Sequence, residues 1–280
     1  MKGWLIINSF LITEKFTDIY DLLIYSAEKK GIDLIPVKSS EIRFYPCLPD
    51  FAMLWDKDFY MAEALELRGL RLFNNAKSSG ICDDKAKTAI LLNSKGIPHP
   101  NTVIAPKTYP AAGYNDLSFA EKAAEELGFP LVVKEVNGSF GQQVYLADNM
   151  DSLKHIISDI DPGSFIMQEF IEESRGTDIR MNVVGNRVVS AIRRVNEKDF
   201  RSNITNGGIA SPYEPNEQET ELALKAAAAA GCDFAGVDIL KGKADMVCEI
   251  NSSPHFKSSE LCGGPSIAEA IIDHIIEVMD

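Results

Sequence analysis

The stretch Ala235-Gly236-Val237-Asp238-Ile239-Leu240, then Lys241-Gly242-Lys243, then Met246-Val247-Cys248-Glu249-Ile250-Asn251 reads as two strands around a turn. Val237, Ile239, Val247 and Ile250 are apolar, so the hairpin belongs to a core. Side chains two residues apart share one face of a strand. Glu249 and Asn251 therefore point the same way, and Asp238 can face them from the partner strand. Two carboxylates and an amide oxygen converge. Paired acids on a core hairpin repel without a cation between them, and hard oxygen donors of this kind suit Mg²⁺ completed by phosphate and water. A solvent-facing polar edge would carry the same residues, and spacing alone leaves both readings open.

Upstream, Asp178 to Val184 alternates, Gly185-Asn186 signals a hairpin turn and Arg187 to Arg194 pairs back. Glu217 to Ala230 reads as a helix closed by Gly231, and a last helix covers Ile267 to Met279. The block before this opens with Asp83-Asp84-Lys85 and a helix to Lys95. It continues with a helix from Phe119 to Leu127, a strand Leu131-Val132-Val133-Lys134, the turn Asn137-Gly138-Ser139-Phe140-Gly141 and a returning strand from Gln143 to Leu146. A helix from Asp151 to Ile157 and a strand from Phe165 to Phe170 follow. The first block alternates strands (Trp4 to Ile7, Ile32 to Val37, Phe51 to Trp55) with helices (Asp18 to Lys30, Tyr60 to Arg68), which predicts a small parallel sheet ending near Asn74 to Asp84.

Three further clusters can carry chemistry. Lys134 ends an apolar strand, where a lysine is costly without an anionic partner, and Gly138 and Gly141 let backbone N–H groups approach phosphates. No Gly-Lys-Ser/Thr follows, so this is not a Walker A loop; a plain β-turn is the other reading. Gln168-Glu169-Phe170-Ile171 leads a strand into a turn whose backbone groups and apolar walls suit an adenine edge. Asp178 and Arg180 share a strand face, as an ordinary cross-strand ion pair also would. Phe200-Arg201-Ser202-Asn203 before Asn206-Gly207-Gly208 suits an anion held on a moving loop, with Arg193 and Arg194 just upstream; a solvated surface loop would look alike.

The bulk numbers narrow the class. The 280 residues carry 41 acids against 28 bases, a net charge of −13 with no long basic run, which argues against a nucleic-acid or membrane-surface partner. The five cysteines lack Cys-x-x-Cys spacing, so a disulfide framework or zinc site is not expected and a cytoplasmic protein is. Met1 to Ile12 is too short and polar for a membrane span and reads as a first strand.

In order, these motifs resemble the ATP-grasp superfamily, and most closely its RimK-type amino-acid ligases. The resemblance covers Asp83 to Asp280. Its specific carriers are Phe200-Arg201-Ser202-Asn203, Ala235-Gly236-Val237-Asp238-Ile239-Leu240 and Glu249-Ile250-Asn251-Ser252-Ser253-Pro254. It implies an α/β fold, α+β in the ATP-binding half: an N-terminal parallel-sheet domain (1–82), a central α+β domain (83–167) and a C-terminal antiparallel-sheet domain (168–280). It implies ATP and Mg²⁺ (or Mn²⁺), two ions, held by Asp238, Glu249 and Asn251. Lys85, Lys134, Gly138, Ser139 and Gly141 would meet the phosphates. Gln168, Glu169, Phe170 and Ile171 would form the adenine hinge, Asp178 with Arg180 the ribose side, and Arg201, Asn203 and Arg194 the catalytic set.

The implied reaction joins an amino-acid donor, glutamate in some relatives, to a carboxylate-bearing acceptor through an acyl phosphate. A kinase or carboxylase of the same superfamily, or a catalytically silent ATP-binding sensor, would share the motifs. Relatives include dimers and tetramers, so a homo-oligomer is open. Two segments depart from the RimK pattern. The loop at 137–141 lacks the usual Glu-Gly-Thr-Gln-Gly, and His255-Phe256-Lys257-Ser258-Ser259-Glu260 replaces the usual Gly-Leu-Glu-Gly after Pro254. The second stretch is expected to border the acceptor pocket.

Overall fold

The computed structural model describes residues 1–109, 111–160 and 163–280. The chain begins with β1 (Lys2–Ile7), α1 (Glu14–Lys29), β2 (Asp33–Lys38), β3 (Phe51–Trp55), α2 (Phe59–Leu67), β4 (Arg71–Phe73) and α3 (Ala76–Asp83). The four strands make a parallel sheet in the order β2-β1-β3-β4, as the alternation of apolar runs and helices predicts. β1 and β3 are buried on both faces, which their unbroken apolar sequences permit. α1 buries Ile19, Tyr20, Leu23 and Ala27, a single stripe at helical spacing.

Next come α4 (Lys85–Ser94), β5 (Thr102–Ile104), α5 (Ser118–Leu127), β6 (Leu131–Glu135), β7 (Val144–Ala147), α6 (Met150–Asp159) and β8 (Phe165–Glu169). Their strands form an antiparallel sheet in the order β5-β8-β6-β7. Asp84 caps α4 by accepting from the backbone of Ala86 and Lys87, which sets Lys85 on the first turn.

The last sheet holds β9 (Thr177–Val184), β10 (Arg187–Val195), β11 (Ile209–Pro212), β12 (Phe234–Leu240) and β13 (Met246–Asn251), ordered β11-β10-β9-β12-β13 and antiparallel throughout. α7 (Glu217–Ala230) covers one face, started by an Asn216–Glu219 capping box and ended at Gly231 with φ +71°. α8 (Lys257–Leu261) and α9 (Ile267–Met279) close the chain. One buried cluster joins Phe51, Trp55 and Phe73 of the first sheet to Phe234, Phe256 and the Ile271, Ile272 and Ile275 row of α9. Asn74 reinforces this joint: its amide donates to the carbonyls of Phe234 and Ser252 and accepts from the backbone of Asp233.

Five elements differ from the sequence expectation: β4, α3, β5, β11 and α8 were not anticipated. Each is eight residues or shorter, and the three strands exist through pairing with β3, β8 and β10 rather than through their own pattern. No described helix is long and apolar enough to cross a membrane.

Candidate active site

The hairpin β12–β13 sets the site. Gly236 stands opposite Asn251 and Asp238 opposite Glu249; a bulge at Cys248 then returns Ile239 to Val247. Directly opposed residues share a face, so Asp238, Glu249 and Asn251 do converge. The neighbouring strands extend that face. Arg180 of β9 lies opposite Asp238, and Arg194 of β10 opposite Asp178. The other face of the same strands is apolar: Ile179, Met181, Val237, Ile239, Val247 and Ile250 are buried in one core with the alanines of α7.

The four charges on β9, β10 and β12 form a closed network. Arg180 donates through Nε and Nη2 to both oxygens of Asp238. Arg194 grips Asp178 in the same two-pronged way and reaches Asp238 at 3.0 Å. All four residues are buried. Burial works to raise the Asp238 pKa, but Arg180 and Arg194 outweigh it and hold the carboxyl below its ordinary 3.8. Two positive and two negative charges leave the network neutral.

Glu249 differs. Its side chain is 30% exposed, and its nearest cation, the Lys85 ammonium, is 4.0 Å away. The Asn251 amide donates to the Gly236 carbonyl at 3.2 Å, which leaves Oδ1 as an open acceptor. Among the described residues no three His, Cys, Asp or Glu side chains gather as a metal cage. The donor set is instead a free carboxylate, an amide oxygen and a carboxylate shared with arginines. These oxygens fit a hard divalent ion that also takes phosphate oxygens and water.

A cavity of about 1170 Å³, its open mouth included, lies between the central and C-terminal sheets. Lys85, Lys134, Gly138, Ser139, Gly141, Gln168, Glu169, Phe170, Ile171, Asp178, Arg201, Asn203, Asp238 and Glu249 all line it. Arg180, Arg194 and Asn251 do not: the two arginines lie within the sheet against the aspartates, and Asn251 sits two residue pairs beyond Glu249. Glu169 Oε1 accepts from the Asn101 backbone, so the strand end is fixed where it meets the cavity.

Lys134 is the group with the most telling environment. It is buried, and its ammonium donates to Gln168 Oε1 at 2.6 Å and faces Cys248 Sγ at 3.6 Å. Neither partner is an anion. Burial pushes the Cys248 thiol up, which keeps it neutral. No carboxylate lies within ion-pairing range of Lys134 among the described residues.

The loop between β6 and β7 closes over the cavity. Arg201 donates to the Gly141 carbonyl at 2.7 Å while its other nitrogens hold Asp199. Lys57 donates to Ser139 Oγ at 2.8 Å. Gly141 has φ +70°, and a Cβ there would stand 2.5 Å from Asn203 Oδ1. Sequence reasoning did not single out Thr88, Phe200, Leu240 and Cys248, which also line the cavity. Phe200 and Leu240 stood inside quoted motifs, whereas Thr88 carried no local signal.

Residues 82–275 match the RimK-like ATP-grasp domain. A Mycoplasma pneumoniae protein, "Uncharacterized protein MG012 homolog", is 32% identical over 232 residues, 81% of this chain and 77% of that protein. A "Probable alpha-L-glutamate ligase" of Histophilus somni (strain 2336) is 36% identical over 196 residues, 69% of this chain but 62% of that protein's length. Among solved structures, D-alanine–D-alanine ligase from Bacillus anthracis complexed with ATP superposes with TM-score 0.78 at 22% identity, covering 100% of this chain and 97% of that one.

Proposed function

The chain belongs to the RimK-like ATP-grasp family, and from that premise we propose that it is an ATP-dependent ligase that joins an amino acid, glutamate by the names of its relatives, to a carboxylate of a small molecule, peptide or protein. The single observation that carries this reading is Lys134, a buried ammonium on the cavity floor with only a neutral amide oxygen and a neutral thiol beside it. Such a group is stable when the cavity holds an anion. Lys85, also on the cavity wall, adds a second ammonium whose nearest carboxylate, Glu249, is 4.0 Å away, and the glycine loop overhead supplies the close backbone approach that a polyphosphate needs.

A carboxylate oxygen of the acceptor attacks the γ-phosphorus of ATP, the bond to the β-bridging oxygen breaks, and ADP leaves. The amine attacks the acyl carbon of the resulting acyl phosphate, loses a proton, and inorganic phosphate departs. The protein supplies position and charge. Lys85 and Lys134 hold the phosphates; Arg201 and Asn203 meet the transferring group; the 137–142 loop excludes water that would hydrolyse the intermediate. Asp238, Glu249 and Asn251 would hold the divalent ions, Mg²⁺ or Mn²⁺, which when bound neutralise phosphate charge. Asp178, which lines the cavity, supports the ribose side, with Glu169 to Ile171 as the adenine hinge; Arg180, expected beside it, is instead turned onto Asp238. Arg194 acts from below by holding Asp178 and Asp238.

The test is ADP release, screened over amino acids paired with small carboxylates and peptides. The expected result is release that needs both a carboxylate and an amine. Stable phosphorylation of one substrate alone would make the protein a kinase. Nucleotide binding with no ADP from any pairing would make it a sensor.

A further inference from the structure

The two segments that depart from the RimK pattern, the 137–141 loop and the run from His255 to Glu260, are distant in sequence but meet in space. The first turn of α1 lies between them. Phe16 packs edge-on against Phe140 at 6.0 Å and against His255 at 6.3 Å between ring centres. His255 Nε2 is 2.8 Å from the Lys15 carbonyl oxygen. A carbonyl only accepts, so Nε2 carries the proton. Burial, together with the charges of Lys15 and Arg180, holds this imidazole below its ordinary range, so it stays neutral near pH 7.

The Lys15 side chain reaches past Phe16 to the loop. Its ammonium sits 3.3 Å from the centre of the Phe140 ring and donates to Thr205 Oγ1 at 3.2 Å. It makes no carboxylate contact among the described residues. Asp18, one turn further along α1, is already committed to Lys257. The surroundings of Lys15 are two aromatic rings, a neutral imidazole and a hydroxyl. Burial already pushes its pKa down, so an anion would be welcome there. Phe140 lines the nucleotide cavity, and Thr205 lies two residues beyond Asn203, which lines it too. Lys15 does not itself line the cavity, but it lies directly against Phe140 of the glycine loop, which does.

We propose that Lys15 is a specificity-determining residue that binds a carboxylate of the acidic substrate, with His255 fixing the backbone beneath it. This rests on the ligase reading above and adds to it the residue that reads the substrate's charge. A carboxylate could belong to the free amino acid or to the acceptor, and the ammonium would hold either by charge-assisted hydrogen bonds.

The experiment is calorimetric titration of the full chain, loaded with a non-hydrolysable ATP analogue and Mg²⁺, with L-glutamate in one arm and N-acetyl-L-glutamate, which lacks the free amine, in the other. At least one acid should bind the wild type. Lys15→Met should weaken that acid by about tenfold or more, while analogue affinity moves by about twofold at most. Lys15→Arg should restore most of the acid's affinity. Preference for glutamate would identify the amino-acid side, and preference for the acetylated acid the acceptor side. The proposal is overturned if neither acid binds, if Lys15→Met leaves acid affinity intact, or if it weakens the nucleotide analogue equally, since Lys15 would then only latch the loop. The ligase reading fails separately: acid binding that depends on Lys15, with no ADP release from any substrate pairing, sinks that reading alone.

Discussion

Lys134 and Asp238 show how little a residue's type says about its cost. Both are charged and buried, yet one is neutralised by the fold and the other is not. Lys134→Met should therefore hold or raise the melting temperature while, on the proposed function, lowering nucleotide affinity by about 10- to 100-fold, because it removes a buried charge that has no anion of its own in the fold. Melting curves with and without ATP check this. The acids should separate in the opposite sense. Glu249→Gln should abolish metal-dependent turnover with a melting temperature close to wild type, since Glu249 is partly exposed and only 4.0 Å from one lysine. Asp238→Ala should also abolish turnover but should cost about 3–5 kcal/mol of stability, because it strands the buried Arg180 without a carboxylate, while Arg194 keeps Asp178. The family resemblance proposes the same metal-holding role for both acids and is silent on this difference; the arginines come from strands 44 and 58 residues upstream of Asp238.

Elements carry a second layer. The helices α7 and α9 and the β12–β13 hairpin were legible because cap, turn and apolar period agree within one window. The bulge at Cys248 was not legible, since nothing in Val247-Cys248-Glu249 differs from a regular strand. β5 and β11 were missed because three or four residues become strands only when a neighbour pairs with them. The β6–β7 loop was read as a glycine turn, and its closed position depends on Arg201, Lys57 and Asn203 from elsewhere. Gly141→Ala tests that position. Its positive φ and the 2.5 Å approach to Asn203 mean the loop must lift. Turnover should fall by about tenfold or more and uncoupled ATP hydrolysis should rise, with global stability little changed; steady-state ADP and product assays distinguish the two fluxes.

At the scale of the whole molecule, the first sheet and the last helix share one core. Phe256 is fully buried beside Trp55, Phe234 and Phe51. Phe256→Ala should cost about 3–5 kcal/mol, and Trp fluorescence and far-UV circular dichroism should report the same unfolding midpoint. Two separate transitions would show that the N-terminal sheet folds alone. Acid should act through the buried network. The folded-state pKa of Asp238 lies below its ordinary 3.8, so the unfolded chain takes up that proton first. The stability it contributes is complete above about pH 5 and is lost as pH falls through the depressed value, below about 4. Melting temperature against pH should drop in that window for wild type and fall less steeply for Asp238→Asn.

The sequence alone determined the longer helices and strands, the parallel character of the first block, the hairpins of the other two and the face shared by Asp238, Glu249 and Asn251. These follow from periods of 2 and 3.6 residues and from turn chemistry, which are local. The tertiary structure alone decided that Asp238 is held by Arg180 and Arg194 while Glu249 stays open, that Lys134 has no anion of its own, and that Lys15 meets Phe140 and Thr205. Charge pairing depends on which side chains fall within a few ångströms of one another, and in this chain the partners can be as far apart in sequence as Lys30 and Asp273.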